Sequence, residues 1–235
     1  MHDIRSVLSG RLAVVEERIA AACRRAGRAR TEVTLVAVTK TVGPKIASLI
    51  AAIGIHDLGE NRPQQLWQKA ALLPSGIRWH LIGNLQRNKV ERTVPLVHLV
   101  HSADSVRLLR ELDDTAGDGP LPVLLEVNAS GEASKHGFRP DEVSSLPAVM
   151  TALRRVRIDG LMTMAAYDEN PERSRSTFVL LRELRDRLRG QIGDAHPLTH
   201  LSMGMSNDFE VAIEEGATLV RLGTVLFDGL IAEEP

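Results

Sequence analysis

Residues 33–60 read VTLVAVTKTVGPKIASLIAAIGIHDLGE. Val33 to Val38 is a nearly continuous aliphatic run of the kind a strand needs when both of its faces are buried, and it ends at Thr39 and Lys40. Pro44 to Ala52 reads as a helix and Ile55 to Glu60 as a second short strand. Strand, helix and strand in so short a stretch make one βαβ unit, which demands parallel strands joined by a right-handed crossover.

The same rhythm repeats downstream. Helical patterns at 63–72, 84–92, 103–114, 140–152, 171–189 and 208–215 alternate with strand patterns at 77–82, 96–100, 122–128, 156–162, 199–203 and 217–223, and a short helix closes the chain. Upstream, Ile4, Val7, Leu8, Leu12, Val15 and Ile19 recur at spacings of three and four, which is one apolar face of a helix. Eight strands alternating with helices, without a Ser- or Pro-rich linker, predict an α/β protein: a single (β/α)8 TIM barrel over residues 1–235, with 1–30 an N-terminal helical extension. The competing architecture is an open doubly wound sheet, which lacks support because no G-x-G-x-x-G follows a strand.

Composition narrows the function. The 235 residues are 43% hydrophobic and 25% charged, with 18 Gly and 11 Pro, which excludes disordered and collagen-like chains. The net charge is −1 and no run of five like charges occurs, so nucleic acid is not an expected partner. Cys23 is the single cysteine, which excludes a disulfide framework and a cysteine-rich metal site. The histidines lack carboxylates at metal-site spacing, and no metal is expected; His80, after Trp79 at a strand end, is read as either a packed core residue or a neighbour of the site. No apolar stretch reaches about 18 residues and no leader pattern opens the chain, so a soluble, cytoplasmic protein without membrane contact is expected.

Functional side chains of parallel barrels gather at the C-terminal ends of the strands. Of the 29 basic residues only five are lysines, and one of them, Lys40, ends the first strand. An ammonium group carried there is expected to be desolvated, which lowers its pKa and frees a nucleophilic amine of the Schiff-base type; a lysine that simply reaches water is the alternative. The segment LSMGMS, 201–206, and Gly223-Thr224 place small polar residues after strands seven and eight, where barrels of this kind hold phosphate. Arg221, on the apolar strand ATLVRLG, must find an acceptor, either a ligand atom or a neighbouring carboxylate.

Several motifs in one order carry a resemblance over nearly the whole chain: AVTK (37–40), GEN (59–61), WHLIGNLQRNK (79–89), HSAD (101–104), NASGEASKHGF (128–138), GLMTM (160–164), LSMGMSND (201–208) and VRLGTVLF (220–227). The chain resembles the YggS/PROSC family of pyridoxal 5′-phosphate-binding proteins, the pyridoxal phosphate homeostasis proteins, which are related to the barrel domain of alanine racemase. The resemblance implies that Lys40 forms a covalent aldimine with the cofactor. It also implies that Ser206, Gly223 and Thr224 hold the phosphate, that Arg221 lies near the pyridine nitrogen, and that Asn61, Ser202 and Met203 line the pocket. An arginine there leaves the ring nitrogen unprotonated and weakens the cofactor as an electron sink. The family pattern has a glycine directly after the last phenylalanine, whereas here Asp228 precedes Gly229. Lys135, in a family motif on the 129–139 excursion, is expected to accept or release cofactor.

Two classes of function follow. One is a carrier or buffer that holds pyridoxal phosphate in vitamin B6 homeostasis and passes it to pyridoxal-phosphate-dependent apoenzymes, without strong catalytic activity. The alternative is a pyridoxal-phosphate-dependent amino-acid racemase or related enzyme. Related racemases draw a tyrosine from a second domain, whereas Tyr167, the only tyrosine here, is expected in a loop after strand six. A cofactor-free barrel enzyme working through a Lys40 Schiff base on a phosphorylated sugar or aldehyde is a third reading. A monomer is expected, with a dimer left open.

Overall fold

A computed structural model describes residues 4–132 and 136–230. Eight parallel strands close into a barrel in sequence order, β8 pairing with β1. They are β1 (Thr34–Val38), β2 (Asp57–Glu60), β3 (Arg78–Leu81), β4 (Leu99–Ala103), β5 (Leu121–Glu126), β6 (Val156–Met162), β7 (His200–Ser202) and β8 (Leu219–Leu222). The helices are α1 (Ile4–Arg25), α2 (Pro44–Ala52), α3 (Pro63–Leu72), α4 (Val90–Thr93), α5 (Val106–Thr115), α6 (Pro140–Val143), α7 (Pro147–Ala152), α8 (Arg175–Arg189), α9 (Phe209–Glu214) and α10 (Thr224–Phe227). The expected (β/α)8 architecture with an added N-terminal helix is the one observed. Among the described residues no helix is long and apolar enough to cross a membrane.

Two apolar layers form the core. The larger lies between the barrel wall and the helices, where the outward residues Leu35, Ala37, Leu58 and Val123 meet Ile46, Ile50, Leu66 and Leu109. The smaller is inside the barrel: Val36, Leu99, Leu124, Met162 and Leu219, with Met164 packed against them. That inner layer is too small to fill the barrel, and buried polar side chains occupy the rest, among them His80, His101, Ser202 and Arg221. α1 buries Leu8, Val15, Ile19, Ala22 and Cys23 and packs against α9 and α10.

Three expected elements shift. The fourth strand, expected at 96–100, begins at Leu99 because Val94–Leu96 forms a 3₁₀ turn around Pro95, and β4 takes its register from β3, with His80 opposite Leu99. The strand can then run on through His101, whose ring finds His80 inside the barrel, and Ser102, whose hydroxyl donates to Gly83 O in the turn after β3. The helix expected at 84–92 contracts to a 3₁₀ turn and α4. The helix expected at 140–152 divides into α6 and α7 at Pro147, whose ring excludes an uninterrupted helix.

Candidate functional site

A cavity of about 500 Å³ opens at the C-terminal mouth of the barrel. Its wall includes Val38 and Lys40 from the end of β1, Asn61 after β2, Ile82 and Gly83 after β3, Met164 and Tyr167 after β6, Met205 to Asp208 after β7, and Arg221, Gly223 and Thr224 from β8 and its loop. Six of the eight residues expected at the site, Lys40, Asn61, Ser206, Arg221, Gly223 and Thr224, therefore border one space. The other two, Ser202 and Met203, are fully buried and are absent from the cavity wall. Ser202 lies behind Arg221 and accepts its Nη1 hydrogen bond at 2.6 Å.

Lys40 is exposed, which corrects the expectation of a desolvated amine. β1 ends at Val38, so the lysine falls in the following turn, where its side chain stands at the open mouth. Its backbone, by contrast, rests on a fixed base. Thr39 donates its backbone N–H to Gly59 O at 3.0 Å and its hydroxyl to Glu60 Oε1 at 2.6 Å. Lys69 reaches from α3 to donate to Thr39 O at 2.7 Å and forms a buried ion pair with Glu60.

The loops after β7 and β8 are joined. Ser206 Oγ accepts the N–H of Val225 in the first turn of α10 at 3.2 Å, and Asp208 Oδ1 accepts the N–H of Met205 at 2.7 Å. Gly204 takes φ +90°, and a side chain there would meet Phe209 and Ala212, so glycine lets the chain pass close to α9. Across the mouth, a Cβ on Gly83 would lie 2.2 Å from Asn61 O, so the turns after β2 and β3 pack backbone to backbone. Asn207 ties the β7 loop to Asp168 O at 2.7 Å, beside Tyr167.

Arg221 supplies the buried charge. Besides Ser202 it donates Nη2 to Thr163 O at 2.9 Å. Burial pulls its pKa down to about 10, with Asp208 and Glu126 opposing the shift, so it stays protonated at neutral pH. Glu126, at the end of β5, is pushed up to about 7, chiefly by burial and then by Asp104, against the pull of Arg221 and His136.

Several of these residues carry no evident mark in the sequence reading. Lys69 falls on the buried face of α3 with Pro63 and Leu66, and a lysine in the apolar register of a helix is the signal that an internal carboxylate awaits it. His101 opens the HSAD motif, but its link to Asp57 becomes visible only once closure of the barrel brings β2, β3, β4 and β7 around one axis. Lys135 lies outside the described residues.

The geometry defines a class: a closed parallel barrel with a lysine after its first strand and an arginine with small polar loops at its last two. A profile of the alanine racemase N-terminal domain family matches residues 12–230. The chain is 46% identical over 220 residues to the pyridoxal phosphate homeostasis protein of Aquifex aeolicus, covering 92% of this chain and 96% of the relative. Among solved structures it is similar to an unknown protein from Bifidobacterium adolescentis (34% identity, TM-score 0.89, covering 97% of each chain). It is also similar to PipY of Synechococcus elongatus with pyridoxal phosphate bound (32% identity, TM-score 0.78, covering 91% of this chain and 99% of that one). The chain belongs to the pyridoxal phosphate homeostasis protein family, within the broader alanine racemase N-terminal domain family.

Proposed function

We propose that this protein holds pyridoxal 5′-phosphate in the cavity at the barrel mouth, with Lys40 as its covalent anchor through an imine. In this role it is a carrier or buffer in vitamin B6 homeostasis, without strong catalytic activity. One juxtaposition carries the reading: the exposed amine of Lys40, the buried guanidinium of Arg221 and the small polar residues Ser206, Gly223 and Thr224 border a single space. The name of the Aquifex aeolicus relative and the pyridoxal phosphate bound to PipY support it.

The donor set fits the group. Lys40 offers a primary amine to an aldehyde, the hydroxyls of Ser206 and Thr224 and the backbone at Gly223 suit a phosphate, and Val38, Ile82 and Met164 supply apolar walls for a ring. Bound there, the cofactor supplies an aldehyde carbon and an electron-accepting ring. Arg221 is a donor only, and at the ring nitrogen it disfavours the protonation that strong carbanion chemistry requires. The exposure of Lys40 leaves the anchor open to exchange with an incoming amine, as transfer to an apoenzyme requires.

Purified protein incubated with pyridoxal phosphate is expected to turn yellow with an imine absorption band that Lys40→Ala erases. Protein that stays colourless would refute the proposal and favour the cofactor-free Schiff-base reading. Tyr167 borders the same cavity, which gives the racemase alternative a candidate second base within this chain. Loaded protein incubated with L-amino acids in deuterium oxide is expected to exchange the α-proton negligibly; turnover that Tyr167→Phe removes would establish the enzyme instead.

A further inference from the structure

A continuous chain of hydrogen bonds runs down the inside of the barrel from the cavity to the opposite end. Arg221 Nη1 donates to Ser202 Oγ at 2.6 Å, and Ser202 Oγ lies 2.8 Å from His101 Nδ1. His101 Nε2 lies 2.9 Å from His80 Nδ1, and His80 Nε2 lies 3.0 Å from Asp57 Oδ1. Asp57 begins β2 at the barrel floor, where the guanidinium of Arg78, half exposed at the start of β3, grips both of its oxygens. From Arg221 to Asp57 every group is buried.

The chain admits one arrangement of its hydrogens. Burial lowers the pKa of both rings, that of His101 well below its usual value, so each ring is neutral and carries a single N–H. Burial alone would raise the pKa of Asp57, but its bonds to His80 and Arg78 outweigh that and hold it below the usual carboxylate range. As a carboxylate, Asp57 only accepts, so His80 must carry its hydrogen on Nε2. His80 Nδ1 is then an acceptor, which requires His101 to carry its hydrogen on Nε2 as well. His101 Nδ1 in turn accepts the hydroxyl hydrogen of Ser202, and Ser202 is left with lone pairs alone toward Arg221. Every donor points away from the cavity.

We propose that Asp57, His80 and His101 are positioning residues for the site: by fixing the tautomer of each ring they make Ser202 a pure acceptor toward Arg221. With Thr163 O as the second acceptor, this holds the guanidinium in one orientation at the cavity wall. The link to cofactor binding rests on the function proposed above, whereas the ordering of the hydrogens does not.

The ordering is tested by 15N NMR of histidine-labelled protein without added cofactor, with His80→Gln and His101→Gln assigning the signals. Both rings are expected as neutral Nε2–H tautomers from pH 7 to 8. A charged ring, or an Nδ1–H tautomer at either position, would overturn the ordering. Asp57→Asn gives the floor a side chain that can donate as well as accept; it is expected to mix the tautomers of both rings and to weaken pyridoxal phosphate binding about tenfold. Unchanged tautomers or unchanged affinity would overturn the proposal. Should that variant fail to fold, Ser202→Ala poses the question from the cavity end, with the same loss of affinity expected and unchanged affinity again overturning it. Failure of the wild-type protein to bind pyridoxal phosphate would refute the cofactor reading and the positioning role with it, while the NMR result on the ordering would stand by itself.

Discussion

Glu126 closes β5 with a carboxyl group that burial and Asp104 drive to a pKa of about 7. An unfolded glutamate has its usual value of 4.5, so between pH 4.5 and 7 the folded protein binds more protons than the unfolded chain, and stability falls as pH rises through that window. Above it the cost is constant. Glu126→Gln removes the titration and is expected to make the unliganded protein more stable than the wild type by on the order of 3 kcal/mol at pH 8. At pH 4 the two should coincide; urea midpoints at the two pH values measure the difference. At this scale the sequence is legible only in part. Lys40 and Arg221 stand out because each is a cation on an apolar run. Glu126 does not, because what distinguishes it is the identity of side chains brought near from other strands. The environment of Lys40 is equally a matter of tertiary structure, since the strand stops two residues before it and leaves its side chain at the mouth.

Elements were legible wherever one period dominated. The strand expected at 156–162 is β6 residue for residue, its two charges, Arg157 and Asp159, pairing with each other while Val156, Ile158 and Leu161 are buried in the core. The strand expected at 96–100 slid toward its polar end because pairing with β3, a partner no local pattern reveals, outweighed the greasier register. α1 offers a test of the opposite kind, where local propensity decides. Gly10 is exposed in the interior of that helix, and an added Cβ would meet nothing within 4 Å. Gly10→Ala is expected to raise stability by about 1 kcal/mol, read as a higher urea midpoint with unchanged cofactor binding.

At the scale of the molecule, α1 and the segment that follows it fasten the last two units of the barrel. Arg28 Nη1 donates to Ile213 O and Ala217 O, both at 2.9 Å, where the chain leaves α9, and Arg11 donates to Leu226 O in α10 at 2.9 Å. α9 and α10 follow the two loops that carry Ser206, Gly223 and Thr224, so the N-terminal helix braces the phosphate end of the proposed site from behind. Arg18 and Arg25 pair with Glu210 and Glu214 on the same face, but in partial exposure, where ion pairs contribute at most about 1 kcal/mol. Arg28→Ala, which strips a charged donor from two backbone carbonyls, is expected to cost about 2 kcal/mol. Chemical denaturation should rank it well above Arg25→Ala.

Closure of the barrel orders events in time as well as in space. Lys40 follows the first strand while Arg221, Gly223 and Thr224 lie on or just after the eighth, and they border one cavity only because β8 hydrogen-bonds to β1. A chain emerging from the ribosome therefore carries the amine of Lys40 while seven further strands are made, before the matching wall exists. An aldehyde captured during that interval has no pocket to retain it, so stable loading must await the final strand. On the function proposed above, bound cofactor would then mark a closed barrel, and nascent chains would compete little for the vitamin pool.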